Sequence, residues 1–435
     1  MPRNTTQIAL SSLICAGFIS GSLAAQTGHV LNGEGPVNQS MAGVATATPL
    51  DASGALLWNS ATITALKGNS IQFGMEMLKP SIDLSSAMPT AGGLMSDTTS
   101  SDSAVSPIPS FSLVYHIPDS DLTFGMNAVG VSGFGVNYPA SSTNPLLMAP
   151  PNGFGSVYSN FQMLQLSPTI AYKVNKNWSV GFAPNIDQAS LAINPGCFAA
   201  PNDPDGTFGN GDEVYPSGLN AATSWGFGAQ AGVFYQGTGD WDFGASYKSQ
   251  QVFNDFEFNS TDAAGAFRQL KLDMDFPAIA SIGLSYRGVD KMVIGLDARY
   301  IDYKNTDGFD PAGFGSDGSV TGFGWDSIIV VALGAQYEVD ECLSVRAGYA
   351  FNENPISDEN STFNVPAPAI IQQHASVGMS YCVGNDWFFD IAYQHGFENS
   401  IEGEMGHPLM GFIPGSSVEN TMSTDSLIIG FRVLF

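Results

Sequence analysis

Charged side chains are scarce in this chain of 435 residues, since they make up 12% of it and lysine and arginine together number only 14. Soluble domains carry roughly twice that fraction of charge. The chain also lacks any apolar run of about 18 residues, which excludes a helical membrane span. A membrane chain of this composition is predicted to be a closed β-barrel, because a barrel spreads its apolar signal over alternating positions.

Cations are the rarest of the charges, and the formal net charge is −26. A polyphosphate needs clustered cations, so nucleic acid is excluded as a partner. The simplest interpretation of the excess carboxylates is solvated acidic loops. A divalent-cation site at Asp203, Asp205, Asp212 and Glu213 is the alternative, although their spacing does not match an EF-hand loop.

Motifs for catalysis and cofactor binding are lacking as well. The five histidines lie on separate segments without metal-ligand spacing, and no Gly-x-Ser-x-Gly elbow is found. We therefore expect no enzyme activity and no cofactor, and an outer-membrane hydrolase is left as a minor alternative.

The first 25 residues are predicted to be a secretory signal peptide. Arg3 gives a short basic start, Ile8 to Ile19 forms an apolar core, and Ser22 to Ala25 offers small residues for cleavage. This segment is excluded from the fold.

The region from residue 69 to residue 435 divides into fourteen amphipathic runs, each near the length that a tilted strand needs to cross a bilayer. The predicted strands are Asn69–Lys79, Ile108–His116, Leu122–Ser132, Phe161–Val174, Trp178–Ser190, Trp225–Gly237, Trp241–Ser249, Pro277–Arg287, Lys291–Asp302, Trp325–Glu338, Cys342–Asn352, Gln372–Cys382, Asp386–Phe397 and Thr424–Phe435.

Side chains alternate in character along these runs. In the last run Leu427, Ile429, Phe431 and Val433 share one face, while Arg432 lies on the other, as expected where one face meets lipid. Short and long connections also alternate from the first run to the last. Outer-membrane barrels have this asymmetry, with short periplasmic turns and long outer loops. We therefore predict an all-β, fourteen-stranded antiparallel barrel in the outer membrane with both termini in the periplasm.

Aromatic residues near the ends of the runs are typical of the girdles at a membrane interface. They are Trp178, Trp241, Trp325, Trp387, Tyr300 and Tyr393. Because aromatic residues also favour strands in general, no single one of them is decisive.

Fourteen strands enclose more space than their own side chains fill, so the lumen is either plugged or open. Residues 26–68 precede the wall and are rich in Gly, Ala and Ser. We predict that they form an N-terminal hatch inside the barrel, with a disordered periplasmic tail as the alternative.

Several predicted inward positions are apolar, including Ile328 and Val330, which disfavours a wide aqueous pore. They line a ligand site or pack against the hatch. The apolar loop clusters Pro145–Met148 and Met410–Ile413 either bind a hydrophobic ligand or pack against one another. Inward arginines, Arg299 and Arg346 with Arg287 and Arg432, pair with a ligand carboxylate or with structural partners such as Asp297 or Asp390.

Cys342 begins one run and Cys382 ends the next, so both are placed inward at the periplasmic end. The secreted context permits disulfides, and we predict a cross-strand bridge between them. Cys197, in the third long loop, would then be unpaired.

Several segments together resemble the long-chain fatty acid outer-membrane transport family, the FadL/TodX type, which includes importers of aromatic hydrocarbons. The resemblance covers essentially the whole mature chain. It is carried by the residues 28–32, 40–43, 49–52, 58–61, 167–174, 177–181, 276–277, 283–287, 345–349 and 354–356, and by the terminal Phe435.

The resemblance implies that outer loops capture an amphipathic ligand, which passes to an apolar pocket beside the hatch. His29, Val30 and Leu31 are then pocket residues, together with Ile328, Val330, Arg299 and Arg346. It also implies a kink in the third strand that opens the wall sideways, for which Gly130, Gly133 and Gly135 are the candidates. Ordinary barrel curvature is the other interpretation of these glycines.

The chain departs from the family at two points. Asn59-Ser60-Ala61 stands where the family hatch has Asn-Pro-Ala, and His29 stands where some members have an aromatic residue. We expect passive uptake of hydrophobic compounds, most of all long-chain fatty acids, by a monomer in contact with outer-membrane lipid and lipopolysaccharide. The alternatives are an aromatic-hydrocarbon channel and a structural or adhesive barrel without transport.

Overall fold

The structure is a computed structural model that describes residues 27–150, 152–206, 210–384, 386–408 and 411–435. The predicted signal peptide lies outside these ranges. No helix within them is long and apolar enough to span a membrane.

Fourteen antiparallel strands form a closed barrel, which confirms the predicted fold class. In chain order the wall strands are β1 Ser70–Thr90, β2 Ser106–His116, β3 Leu122–Tyr138, β4 Val157–Lys173, β5 Trp178–Asn194, β6 Gly218–Gln236, β7 Trp241–Lys248, β8 Ala278–Val289, β9 Met292–Asp302, β10 Ile328–Glu338, β11 Leu343–Asn352, β12 Gln373–Cys382, β13 Trp387–Gly403 and β14 Ser417–Leu434.

Strand β1 closes the barrel, because it pairs with β14 on one side and with β2 on the other. The β1–β14 register runs without a shift from Ser70 opposite Leu434 to Ala87 opposite Ser417. Two further strands extend the same sheet, Gly93–Ser100 beside β1 and Val252–Phe253 beside β6. Among the residues described, the closed wall leaves no free strand edge in the lipid region.

The two faces of the wall differ as the alternation predicts. On β14 the outward Leu427 and Phe431 are 48% and 50% exposed, whereas the inward Ile428 is fully buried. Exposed apolar side chains recur around the outside of the barrel, which suits a surface that lipid covers.

Many strands run further on the outer side than the sequence predicts. β1 continues to Thr90 instead of ending at Lys79, and β6 begins at Gly218 instead of Trp225. β3, β4, β5, β13 and β14 are longer in the same way. Beyond the lipid both faces of a strand meet water or loops, so the apolar alternation ends while backbone pairing continues. The pattern therefore marks the membrane-crossing part of each strand.

The girdle prediction is wrong for Trp325. Trp178, Trp241 and Trp387 lie at the first residue of their strands and are about half exposed, as predicted. Trp325 lies before β10, which begins only at Ile328, and is 1% exposed. Its indole packs inside the barrel, because the chain turns inward before the strand starts.

The segment from Thr27 to Gly68 lies inside the barrel and is called the hatch. It contains helix α1 (Gly35–Ser40), helix α2 (Ala52–Trp58) and the 3-10 helix Ser60–Ala65. Asp51 caps α2, since its Oδ1 accepts a hydrogen bond of 3.3 Å from the backbone of Gly54. Nearly all hatch side chains are buried, as a plug requires and a disordered tail would not allow.

Inward glycines of the wall allow the hatch backbone to come close. A Cβ atom at Gly348 on β11 would lie 2.4 Å from the carbonyl carbon of Met41, and one at Gly181 on β5 would lie 2.4 Å from the carbonyl carbon of Ser60. Both distances are shorter than any ordinary carbon contact. These glycines therefore fix how closely the hatch fits the wall.

Candidate functional site

The N-terminal strand of the hatch, Thr27–Leu31, is hydrogen-bonded to β3. Val30 forms an antiparallel bridge with Ser132, the backbone N–H of Leu31 donates to the carbonyl of Val131 at 3.0 Å, and Gly133 donates to the carbonyl of His29 at 3.0 Å. The predicted pocket residues His29, Val30 and Leu31 are thus attached directly to the third strand.

The contact falls on an irregularity of that strand. The β3–β4 register shifts between Gly130 and Ser132, so that Val131 is an extra residue on β3. Of the predicted kink residues, Gly130 borders the shift and Gly133 bonds the hatch. Gly135 lies farther along, regularly paired with Asn160.

Five aromatic rings surround the imidazole of His29 at centroid distances from 5.0 to 6.0 Å. They form the aromatic cage, which consists of Phe161, Phe276, Tyr303, Phe309 and Trp325. Within it, His29 Nδ1 lies 3.1 Å from the hydroxyl of Tyr303, and Nε2 has no partner in the described structure. Burial lowers the pKa of His29 to about 3, so its ring is neutral.

Sequence reasoning did not find the cage. Only Phe161 lies on a wall strand, and the other four rings come from the loop ends before β8 and between β9 and β10. Aromatic residues in loops do not follow the two-residue period of a strand, so the sequence gives no sign that they point to one place. Only the folded chain brings these rings together.

A small cavity lies between the hatch strand and the wall. Its volume is about 10 Å³, roughly the space for one water molecule. It is lined by Val30, Leu31, Gly33, Leu57, Trp58, Gly130, Val131, Lys248, Phe276 and Ile279. A ligand of any size therefore enters only when a lining segment moves, and the hatch strand is joined to β3 by two backbone hydrogen bonds, one donated by Leu31 and one accepted by His29.

Lys248 is the cation at this cavity. It ends β7, is 4% exposed, and its Nζ donates to Gln165 Oε1 at 2.9 Å. In the described part of the chain no carboxylate lies within ion-pair distance of Lys248, but Gln165 Nε2 also donates to Asp187 Oδ1 at 2.8 Å, and the charges of Asp187 and Glu34 act on the lysine through space. Sequence reasoning did not single it out, although side chains alternate between the two faces of a strand and this alternation directs Lys248 inward, as it does the arginines.

Arg299, one of the predicted ligand-binding residues, has structural partners in this conformation. Its Nη2 lies 2.8 Å from Asp297 Oδ2 and donates to the carbonyl of Gly43, and its guanidinium lies 3.7 Å from the centre of the Trp58 ring. The same Asp297 oxygen accepts bonds from Ala45 and Thr46 of the hatch. Arg299 and Asp297 therefore attach the middle of the hatch to β9.

Arg346 is also placed differently from the prediction. It lies on β11 below the hatch and lines a cavity at the periplasmic end, away from Val30 and Leu31.

Ile328 and Val330 are each 1% exposed and belong to the same apolar core as Val30 and Leu31, but they do not line the small cavity. Their role in the structure is packing above the hatch.

The hatch motif Asn59-Ser60-Ala61 is a structural element. Asn59 Oδ1 accepts the backbone N–H of Ala61 at 3.1 Å, and its Nδ2 donates to the carbonyls of Thr46 and Val233 at 2.8 and 3.0 Å. Ser60 is the first residue of the 3-10 helix, where proline is also accommodated, so its replacement of the family proline leaves the turn intact.

A larger cavity of about 380 Å³ lies among the outer loops. Phenylalanine rings form much of its wall, at Phe154, Phe198, Phe314, Phe323 and Phe363. The loop clusters contribute less than predicted, because Leu146 and Leu147 are 3% and 0% exposed and pack into the core. Met410 lies outside the described residues, and Phe412 is 42% exposed.

The remaining predicted sites are partly assembled. Asp203, Asp205 and Asp212 bring carboxylate oxygens within 4.8 Å of one another in the third outer loop, while Glu213 accepts the backbone of Gly211 instead. Such oxygens suit a hard cation, yet exposed acidic groups gather without one in many proteins.

The cysteines lie opposite one another without a disulfide. Cys382 donates its backbone N–H to the carbonyl of Cys342 at 3.0 Å, which confirms the predicted adjacency. Both thiols are free, and Cys382 Sγ instead lies 3.6 Å from the carbonyl of Glu341. The two thiols are hydrogen-bonded neighbours in this structure, so the disulfide between them stays a prediction.

Comparison with known proteins gives one consistent result. The sequence profile of a family described as outer membrane protein transport protein (OMPP1/FadL/TodX) matches residues 21–433. A long-chain fatty acid transport protein of Escherichia coli O157:H7 is 23% identical over 388 residues, which covers 80% of this chain and 82% of that protein. The protein of the same name from Salmonella typhi is 22% identical over 382 residues, with the same coverage.

Solved structures show the same fold. The P. putida toluene transporter TodX has a TM-score of 0.71 at 19% identity and covers 93% of this chain and 99% of its own. A Pseudomonas aeruginosa FadL homologue has a TM-score of 0.69 at 16% identity, with 93% and 98% covered.

Proposed function

The chain belongs to the outer membrane protein transport protein family (OMPP1/FadL/TodX), and on that premise we propose that it imports long-chain fatty acids passively across the outer membrane. Family members move hydrophobic compounds through a barrel of this kind. The choice of a fatty acid is supported by Lys248, a buried cation at the cavity beside the hatch strand.

The outer cavity supports a first binding step. Its phenylalanine wall suits an alkyl chain, and about 380 Å³ accommodates part of such a chain in a pocket open to the outside. Burial of apolar surface there favours binding by about 25 cal/mol per Å². The ligand then moves inward along the apolar core that joins the loops to the hatch strand.

Displacement of the hatch strand is the second step. Val30 and Leu31 fill the space beside Lys248, so a chain that replaces them meets Leu57, Phe276 and Ile279 with its apolar part. Its carboxylate then accepts a hydrogen bond from Lys248. Because the strand is bonded to the β3 shift, its departure frees the backbone of β3 beside Val131, where the ligand leaves sideways into the membrane.

A Lys248→Met variant tests the ligand class. A charge-assisted hydrogen bond is worth about 1.5–3 kcal/mol, so we expect roughly ten- to hundred-fold weaker palmitate binding. Hexadecanol, which has the same chain length but no charge, should bind the variant as well as the wild type. Titration calorimetry of the purified barrel in detergent measures both affinities.

Lys79→Met is the matched control, since Lys79 is exposed on the outer surface of β1 and makes the same chemical change away from the cavity. Uptake of labelled palmitate by a Gram-negative host without its own long-chain fatty acid transporter measures transport. No uptake above an empty host would refute the proposed function.

An aromatic hydrocarbon is the second candidate, favoured by the aromatic cage around His29. In that case toluene uptake exceeds palmitate uptake, and Lys248→Met changes neither. The barrel is proposed to act as a monomer, because each wall encloses its own hatch and its own cavity.

A further inference from the structure

The outer cavity has two kinds of surface, an apolar wall and an acidic opening. Its wall is formed by phenylalanine rings together with Val157 and Ile193. Asp273, Asp307 and Asp310 line the same cavity, and all three are exposed, so they lie where it opens to solvent. One end of a ligand in the cavity therefore meets apolar side chains, and the other end meets carboxylates.

A wider open space adjoins the outer cavity at these carboxylates. Its volume is about 610 Å³, and it is called the acidic recess. Asp273 and Asp307 line both spaces, and Asp275, Asp255 and Glu257 also line the recess. The backbone N–H of Asp275 donates to the carbonyl of Asp307 at 3.2 Å, which joins the two chain segments. The acidic opening of the cavity thus continues into a larger acidic surface.

Lys271 is the cation that lines the outer cavity in the described structure, and it is already paired. Its Nζ lies 2.8 Å from Glu257 Oε1 and 3.4 Å from Asp255 Oδ2. Among the described residues, no lysine or arginine lies within ion-pair distance of Asp273 or Asp307. One ammonium group therefore does not balance the carboxylates around it.

The other lysine and arginine side chains of the outer loops are held elsewhere. Arg268 donates to Asn202 Oδ1 and to the carbonyl of Ala200, and Lys304 Nζ lies 3.0 Å from Asp326 Oδ1. Neither Arg268 nor Lys304 lines the outer cavity or the acidic recess. The negative charge of the opening is therefore not cancelled by the residues that line it.

Asp275 is a buried carboxylate at this place whose hydrogen-bond donors are neutral. It is 4% exposed, and its two oxygens accept bonds of 2.7 Å from the backbone of Phe253 and from Gln250 Nε2. Burial raises the pKa of Asp275, and the charges of Asp273 and Asp307 raise it further. Because these carboxylates repel one another, a cation placed among them is stabilised.

We propose that the outer cavity binds amphiphilic cations, with the alkyl chain of an amine against the phenylalanine wall and its ammonium group at Asp273 and Asp307. An ammonium group donates three hydrogen bonds, which suits carboxylate oxygens that have no cation. The alkyl chain gains from burial of its apolar surface. A carboxylate at the same opening is repelled, so a fatty acid is accommodated in this cavity by its chain and not by its head group.

Transport of such amines through the barrel rests on the proposed function. The charge preference of the outer cavity does not, because it is a property of the outer loops and needs neither the hatch strand nor Lys248 to change. Binding to the purified barrel therefore tests the preference separately from uptake.

Octylamine is the probe, and octanol is the uncharged reference with the same chain length. Each is titrated into the full-length barrel in a nonionic detergent, and NMR shifts of residues 270–275 and 305–310 report on the cavity. Asp273→Asn combined with Asp307→Asn removes two charges without a change of size. We expect octylamine to bind this double variant roughly ten-fold more weakly, the effect of two exposed ion pairs, and octanol to bind it equally well.

Glu402→Gln combined with Glu404→Gln is the matched control. It removes two exposed carboxylates from the outer side of the barrel that line neither the outer cavity nor the acidic recess. Octylamine should bind this control as tightly as the wild type. Comparing one ligand between two proteins cancels its partition into the detergent.

A salt titration of the wild type covers the case in which the double variant does not fold. Raising sodium chloride from about 0.02 M to about 0.5 M screens exposed charges, so octylamine binding should weaken several-fold while octanol binding does not. Equal octylamine binding by the wild type and the double variant, an equal loss in the control, or no effect of salt would overturn the proposal. If palmitate uptake fails while octylamine still binds in this pattern, only the proposed function is refuted.

Discussion

The imidazole of His29 is neutral and shares its cage with five aromatic rings and one hydroxyl group. A phenyl ring would fill the same space but lose the contact with Tyr303. The residue therefore behaves as a core aromatic that carries one polar bond.

A His29→Ala variant should enlarge the cavity beside the hatch strand. Removing a buried ring costs about 2–5 kcal/mol, so the hatch strand should be less stably bound, and benzene should bind in the space created. Hydrogen exchange of residues 27–31 and NMR titration with benzene measure the two effects.

His374→Ala provides the comparison, because His374 is equally buried but lies on β12. An identical gain of benzene binding in both variants would show that the cage is not the site.

Glu34 predicts a pH dependence for the hatch. Burial raises the pKa of this carboxyl to about 8. Hydrogen bonds from Asn127 and Ser112 act in the opposite direction but are the smaller effect. The docked hatch keeps the proton between about pH 4.5 and pH 8, whereas a released Glu34 in water loses it. Docking should therefore weaken as the pH rises through this window and level off above it.

Hydrogen exchange of residues 34–44 between pH 5 and pH 9, corrected for the intrinsic rate, measures this change. Glu34→Gln removes this group and should give stronger protection at pH 8 and a flat profile above about pH 6, below which the buried Asp51, with its pKa raised to about 6, still titrates. A flat profile in the wild type would contradict the raised pKa.

Among the structural elements, β3 and the hatch strand are the pair on which the proposed transport route depends. Val30 and Ser132 are directly opposite in an antiparallel bridge, at the separation that a disulfide spans. Val30→Cys with Ser132→Cys, in a chain whose other cysteines are replaced by serine, should lock the strand to β3. Oxidation is expected to stop palmitate uptake and reduction to restore it.

Each single-cysteine variant is the control for this tether and should transport in both redox states. Full uptake by the oxidised double variant would show that the ligand passes without displacement of the hatch strand.

The elements themselves were predictable to different degrees. Contact with lipid imposes a two-residue period of apolar side chains, and this period located every wall strand. Above the membrane no such period is imposed, and there β1 and β6 are longer than predicted. The hatch was predicted from its position and composition, because a lumen of this size needs a filling. Its helices have no comparable signal, since they are short and buried on all sides.

The whole molecule shows why the site was predicted only in part. His29, Val30 and Leu31 were found through the family resemblance, and the alternation of the strands placed Arg299 inward. The same alternation applies to Lys248, but the sequence analysis did not single it out. The alternation of side chains does not tell which inward cation has an anionic partner. For Arg299 the sequence did offer one, because Asp297 lies two residues away on the same face of the strand. The aromatic cage needed the fold, because loops bring its rings together across most of the chain.

The close fit between the inward glycines and the hatch backbone has a consequence for how the molecule is made. Met41 and Ser60 lie against Gly348 and Gly181 more closely than a methyl group would permit, on strands far apart in the ring. A plug that fits this tightly does not slide into a finished cylinder from below. The seam between β1 and β14 must therefore join around a hatch that is already seated, so biogenesis of wall and plug is a single event.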